Sequence, residues 1–282
     1  VLVKFADDGG RQSSAATSVI IDLPDPQGKL VLEARREDQD SPAFGGTKTD
    51  CAYNATYDAL IINSDGSGNV LTSAEYQFAN TLDLGGVFAL ELTRRFITRG
   101  IYPTDLIDSR TANIDSWDEF DGSEVDQVNA KLYVRKTNDN PSSSPTYGIW
   151  NEFANGSFKG RGFQFKAELE SSNTAQNILV DELGYVAQLD RRTEQSEAVI
   201  ASGTGTKAVT FTNPFFVGTS SILGSNTKLP AVGITAQNMQ SGDYFTLSSV
   251  SATGFSVAFF NSSNSGVDRN FNYSAVGFGK LG

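Results

Sequence analysis

Apolar and polar residues alternate with a period of two along much of this chain, the mark of strands that bury one face. The longest clean run is Phe163-Gln164-Phe165-Lys166-Ala167-Glu168-Leu169-Glu170, which predicts Phe163, Phe165, Ala167 and Leu169 on one inward face. Leu132-Tyr133-Val134-Arg135 repeats the pattern, and Phe88, Leu90 and Leu92 share a face within residues 87–95. Further strands are predicted at 18–23, 30–35, 59–63 and 178–188. No stretch holds apolar residues at i, i+3, i+4 and i+7 over three turns, so no amphipathic helix is expected. The first part of the chain reads as an antiparallel sandwich.

A change comes near Leu189-Asp190-Arg191-Arg192-Thr193-Glu194. Residues 197–282 hold three acids (Glu197, Asp243, Asp268) against four bases (Lys207, Lys228, Arg269, Lys280), a net of +1, which leaves −12 for residues 1–196. Such a shift across a charged stretch predicts a domain boundary: a first unit over 1–192, a connector over 193–202 and a second unit over 203–282. In the second unit strands are predicted at 207–211, 231–236, 244–249, 254–260 and 270–278. Phe255, Val257 and Phe259 fall on one face and Phe260 on the other. The fold class is therefore all-β, two antiparallel β-sandwich domains. A unit of this size without a disulfide has a limited core, so oligomerisation is an expected support. The stretches at 138–147 and Asn261-Ser262-Ser263-Asn264-Ser265-Gly266 have the composition of loops and turns.

Composition narrows the chemistry. The chain has no histidine and one cysteine, Cys51. That removes Ser-His-Asp and Cys-His nucleophiles, the commonest general base, and zinc sites built on His or Cys. Paired carboxylates acting on a glycosidic bond, or a lysine-assisted nucleophile, remain open, but no motif announces either. A net charge of −11 argues against a nucleic-acid partner. No run of about 18 apolar residues exists, so no membrane-inserted segment is expected. The start, Val1-Leu2-Val3-Lys4-Phe5, turns polar at once without the apolar core of a secretory signal, and the missing initiator Met reads as a processed chain or a segment of a longer one.

Two resemblances add to this. Asn-Ala-Lys-Leu-Tyr-Val-Arg-Lys-Thr over 129–137, Tyr147-Gly-Ile-Trp150-Asn-Glu-Phe153, Gly160-Arg-Gly-Phe-Gln-Phe-Lys166 and Asp115-Ser-Trp117-Asp-Glu-Phe-Asp121-Gly resemble the C-terminal regions of phage tail tip and central tail fibre proteins of the host-specificity J type. The resemblance covers about residues 78–189 and implies a jelly-roll sandwich similar to galactose-binding-like modules. Gly205-Thr-Lys-Ala-Val-Thr-Phe211, Pro214-Phe-Phe216, Ser249-Val-Ser-Ala-Thr-Gly254-Phe255 and Asn270-Phe-Asn-Tyr-Ser-Ala-Val-Gly277 look like an H-type lectin module. That likeness implies a six-stranded sandwich that forms homotrimers and binds sugar at protomer boundaries. Where snail lectins of that type place Arg, Trp and His around the sugar, this chain has Thr246, Ser262 and Ser263, so their specificity is not carried over.

The reading that follows is a non-catalytic, extracellular virion component at the tail tip or tail fibre. Its expected partners are two further copies of itself, other phage tail proteins, and a bacterial surface receptor or polysaccharide. Candidate receptor- or glycan-binding residues are Tyr244, Thr246, Phe260, Asn261, Ser262, Asn264 and Arg269. No cofactor is expected. The acids Asp105, Asp108, Asp115, Asp118, Glu119 and Asp121 match no calcium-loop spacing and read as a solvated loop, so no metal is expected. Trp117 and Trp150 are expected to plug the sandwich core. Two other readings stay open: a purely structural tail protein, and a carbohydrate-binding module of a polysaccharide-degrading enzyme.

Overall fold

The computed structural model describes residues 2–3, 17–18, 28–103, 111, 113–116, 125–218 and 228–281. These residues contain no α-helix, and every strand pairing among them is antiparallel. A small pair, β1 (Leu2–Val3) with β2 (Thr17–Ser18), stands apart. The rest of the strand predicted at 18–23 lies outside the described residues.

The first unit is built from β3 (Lys29–Arg36), β4 (Thr47–Thr49), β5 (Cys51–Asn54), β6 (Ala59–Ile62), β7 (Ser73–Gln77), β8 (Leu82–Ile101), β9 (Val128–Thr137), β10 (Asn151–Glu152), β11 (Gly156–Ser171) and β12 (Asn177–Gln195). β11 carries β9 on one side and β7 on the other. β12 lies between the second half of β8 and β3. The first half of β8 pairs with β11 and the second with β12, so this one long strand ties the two layers together. Their apolar faces meet as the alternation predicts: Phe163, Phe165, Ala167 and Leu169 of β11 are fully buried, and the Phe165 ring stacks on Tyr185 of β12 at 4.1 Å. On β12 the inward positions run Ile178, Val180 and then Leu183, Tyr185, Ala187, Leu189. The phase slips by one where a β-bulge interrupts pairing with β8 between Val180 and Glu182. A bulge adds one residue to one strand and so re-aims everything beyond it.

The second unit comprises β13 (Ile200–Ala201), β14 (Lys207–Thr210), β15 (Ala231–Gln237), β16 (Tyr244–Ser248), β17 (Gly254–Phe260) and β18 (Asn270–Phe278). β18 is flanked by β15 on one side and by β13 and the end of β12 on the other; β17 is flanked by β14 and β16. The two sheets close on each other through rings. Phe255 meets Tyr273 at 5.3 Å and Phe259 meets Phe271 at 5.7 Å, with Val257 and Ala275 fully buried between them. Full burial of such a side chain contributes about 1.5–3 kcal/mol.

The expected connector begins inside a strand. β12 runs to Gln195 and pairs Arg191–Gln195 with β18, as Arg191↔Phe278 through Gln195↔Ser274. Its charged residues have structural partners. Glu194 accepts the backbone N–H of Thr212 at 2.6 Å and the Tyr273 hydroxyl at 3.2 Å. Arg192 lies 3.9 Å over the Phe215 ring and donates to the Asn213 carbonyl at 2.7 Å. The loop they hold divides its phenylalanines: Phe215 enters the second core, whereas Phe216 packs edge-on against Phe88 of the first at 6.0 Å. Gly279, at φ +92°, closes this junction, since a Cβ there would sit 2.8 Å from Phe88.

Candidate functional site

The predicted residues gather at one end of the β16–β17 pair. Tyr244 opens β16 and lies directly across from Phe260, the last residue of β17. Their rings stack at 5.4 Å with 24° between planes, on the face turned away from the core. Tyr244 remains 41% exposed. Its hydroxyl donates to the Asn264 side-chain oxygen at 2.8 Å. Asn264 sits at φ +59°, a left-handed conformation that Asn tolerates better than most residues. Thr246, two residues along β16, shares the Tyr244 face and is exposed.

The turn that presents these groups is held from within. The Asn261 side-chain oxygen accepts the N–H groups of Ser263 at 2.9 Å and Ser265 at 3.0 Å. Arg269 supports the site from below rather than facing a ligand. Its guanidinium makes two 2.7 Å contacts with Asp243 and donates to the Asp268 carbonyl, leaving its side chain 14% exposed. Asp243 in turn accepts the Gln240 N–H at 2.8 Å. That backbone hydrogen bond and the Arg269 guanidinium hold the Asp243 carboxyl below the usual aspartate range, against the opposing effect of burial. Gly242, at φ +86°, lets this turn pass under Ser262: a Cβ there would come within 2.9 Å of the Ser262 Cβ. Of the seven predicted residues, Tyr244, Phe260, Thr246, Ser262 and Asn264 supply accessible surface, while Asn261 and Arg269 fix its shape. Together they form an open ledge: two stacked rings beside amide and hydroxyl groups, which donate and accept in the manner sugar hydroxyls require. It has no nucleophile paired with a base.

Sequence reasoning missed what lies on the other face of β16. Phe245 and Leu247 point toward the core side but are 40% and 37% exposed, because β16 is the last strand of its sheet among the described residues. The signal was available: Tyr244-Phe245-Thr246-Leu247 has apolar residues on both faces, unlike a half-buried strand. Trp150 is a correction. It packs against the outer face of the first unit, 4.4 Å from the Arg135 guanidinium, and takes no part in the core. Trp117 lies outside the described residues, as do Asp105, Asp108, Asp118, Glu119 and Asp121. Among the described residues no three His, Cys, Asp or Glu side chains gather as metal ligands, and no helix is long and apolar enough to cross a membrane. An open cleft of 410 Å³ between Thr72, Asp126, Gln127, Asn129, Glu170 and Ser172 is polar and has no aromatic wall. Comparison of the chain with family models, curated proteins and solved structures finds no match.

Proposed function

We propose that this chain is a non-catalytic, host-facing component of a bacteriophage tail tip or tail fibre. In this reading it binds bacterial surface glycan through the Tyr244–Phe260 ledge. One observation carries the reading: a stacked aromatic pair, Tyr244 exposed and Phe260 partly so, beside the Asn264 amide and the Ser262 and Thr246 hydroxyls, with the Asp243–Arg269 salt bridge at its base. Rings with an apolar face and a polar rim suit a sugar, which also has an apolar face and a polar edge. Each such contact is weak. A homotrimer on one particle would multiply it through effective concentration. The second sandwich, with its near-neutral charge, supports the lectin-like part of the reading.

The exposed pair Phe245 and Leu247 favours a second reading, in which the edge contacts only other virion proteins. Adhesion separates the two. Purified chain incubated with host cells is expected to bind them and to block infection, and Tyr244→Ala is expected to lose at least about tenfold in apparent affinity, or about 1.4 kcal/mol. Folded wild-type protein that neither binds any candidate host nor competes with phage would leave the structural reading in place.

A further inference from the structure

The outer face of the first unit holds a second assembly of rings and charge. Along β9, Tyr133 and Arg135 point away from the core, opposite Lys166 and Gln164 of β11. β10 pairs Asn151 with Val134 and Glu152 with Tyr133, which sets Trp150 down beside Arg135. The Arg135 guanidinium then lies between two rings, 4.4 Å from the centroid of Trp150 and 4.9 Å from that of Tyr147.

Its hydrogen bonds do not use up its charge. The Nε and one terminal nitrogen both donate to the Gln164 side-chain oxygen, at 2.9 and 2.7 Å, and that amide passes its own N–H to Thr81. No carboxylate pairs with Arg135 among the described residues. Lys166, also beneath Trp150 at 5.1 Å, is different: Glu75 and Glu168 each hold its ammonium at 2.6 Å. Among the described residues Arg135 is thus a cation of this face without a carboxylate partner. On the same face of β9, Lys131 lies across from Glu168 of β11. Beside Trp150, Ile149 is 80% exposed.

A guanidinium fixed between rings has already lost the side-chain freedom it would otherwise give up on binding, and its planar fork matches a carboxylate. The adjoining, partly exposed Trp150 and the exposed Ile149 supply an apolar surface next to that charge. We propose that Arg135 and Trp150 form a second saccharide site, separate from the Tyr244 ledge, that takes a sugar bearing a carboxylate, such as a uronic acid residue of an acidic polysaccharide. The carboxylate pairs with Arg135 and the sugar ring lies against Trp150.

Affinity electrophoresis of the purified chain through gels containing polygalacturonate, neutral dextran or poly-glutamate tests this. Polygalacturonate is expected to retard the wild type and the other two polymers are not. Arg135→Gln and Trp150→Ala are expected to weaken the retardation at least tenfold, and Tyr244→Ala to leave it unchanged. Thermal melts confirm that each variant is folded, and Trp150→Phe replaces Trp150→Ala if the latter is not. Absent retardation of the wild type, retardation that survives Arg135→Gln, or equal retardation by poly-glutamate would each overturn the proposal. Loss in Tyr244→Ala alone would place uronate binding at the ledge instead and overturn this site.

Discussion

Glu33 shows how one side chain sets a pH dependence. It lies on β3 against Tyr185, and removal from water pushes its carboxyl above the ordinary glutamate range, although the Tyr185 hydroxyl bond and nearby Arg35 pull the other way. The folded state therefore holds this proton more tightly than the unfolded chain does. Below the ordinary glutamate range the group carries no penalty; the penalty grows as pH rises through the folded-state value and is complete above it. Glu33→Gln keeps an acceptor for Tyr185 and removes the charge. Its urea midpoint is expected to lie above that of the wild type at pH 7, with the gap closing toward pH 4. A variant less stable than wild type at pH 7 would show that the charged form is the favoured one. Glu37 is a contrasting neighbour: fully buried, but supplied with the Arg35 guanidinium at 2.7 Å and the Tyr76 hydroxyl. Cys51 is buried as well, and burial pushes its thiol up to about 11, which makes it a poor nucleophile at neutral pH.

At the scale of the element, two end strands of the second sandwich are unprotected among the described residues. β15 (Ala231–Gln237) and β16 (Tyr244–Ser248) contain no charged residue and no proline, the usual means of blocking edge-to-edge pairing. Phe245 and Leu247 on β16 remain partly in water, and Val232 and Ile234 on β15 are only partly covered. Sedimentation of the wild type is expected to give a trimer, and Leu247→Lys to shift it toward monomer without loss of the fold. A wild type that stays monomeric at micromolar concentration would contradict the trimeric part of the proposal.

Strand positions were legible wherever one face is buried, because alternation then has a physical cause. Phe163 to Leu169, Phe88 to Leu92 and Phe255 to Phe259 all point where the pattern puts them. Three features were not legible. The bulge at Asp181 adds a residue whose effect is visible only against the neighbouring strand. The charged stretch 189–194, at the start of the expected connector, looks solvated in the sequence, and only the fold reveals the phenylalanine ring and backbone groups that Arg192 and Glu194 serve. Trp150 was misplaced because its volume suits a core, and nothing in the linear chain announces the guanidinium beneath it.

For the whole molecule, the two cores are joined by a shared strand rather than a bare tether: β12 leaves the first sandwich and supplies hydrogen bonds to the second. The charge is split between them, −12 before residue 197 and +1 from it onward. An acidic first unit limits non-specific adhesion to anionic surfaces, while a near-neutral second unit can approach them without repulsion. That the seven residues named from the sequence lie close together follows from the β16–β17 pairing, which sets Tyr244 across from Phe260 and the turn beyond it. Their division into ledge and brace required the geometry around Asp243 and Arg269.

The most direct measurement is a binding screen of the purified 282-residue chain against immobilised bacterial surface polysaccharides, run beside Tyr244→Ala. The account predicts a restricted set of positive glycans, no shortening of the bound polymers, and loss of signal in the variant. A blank screen with correctly folded wild-type protein, or binding unaffected by Tyr244→Ala, would contradict it.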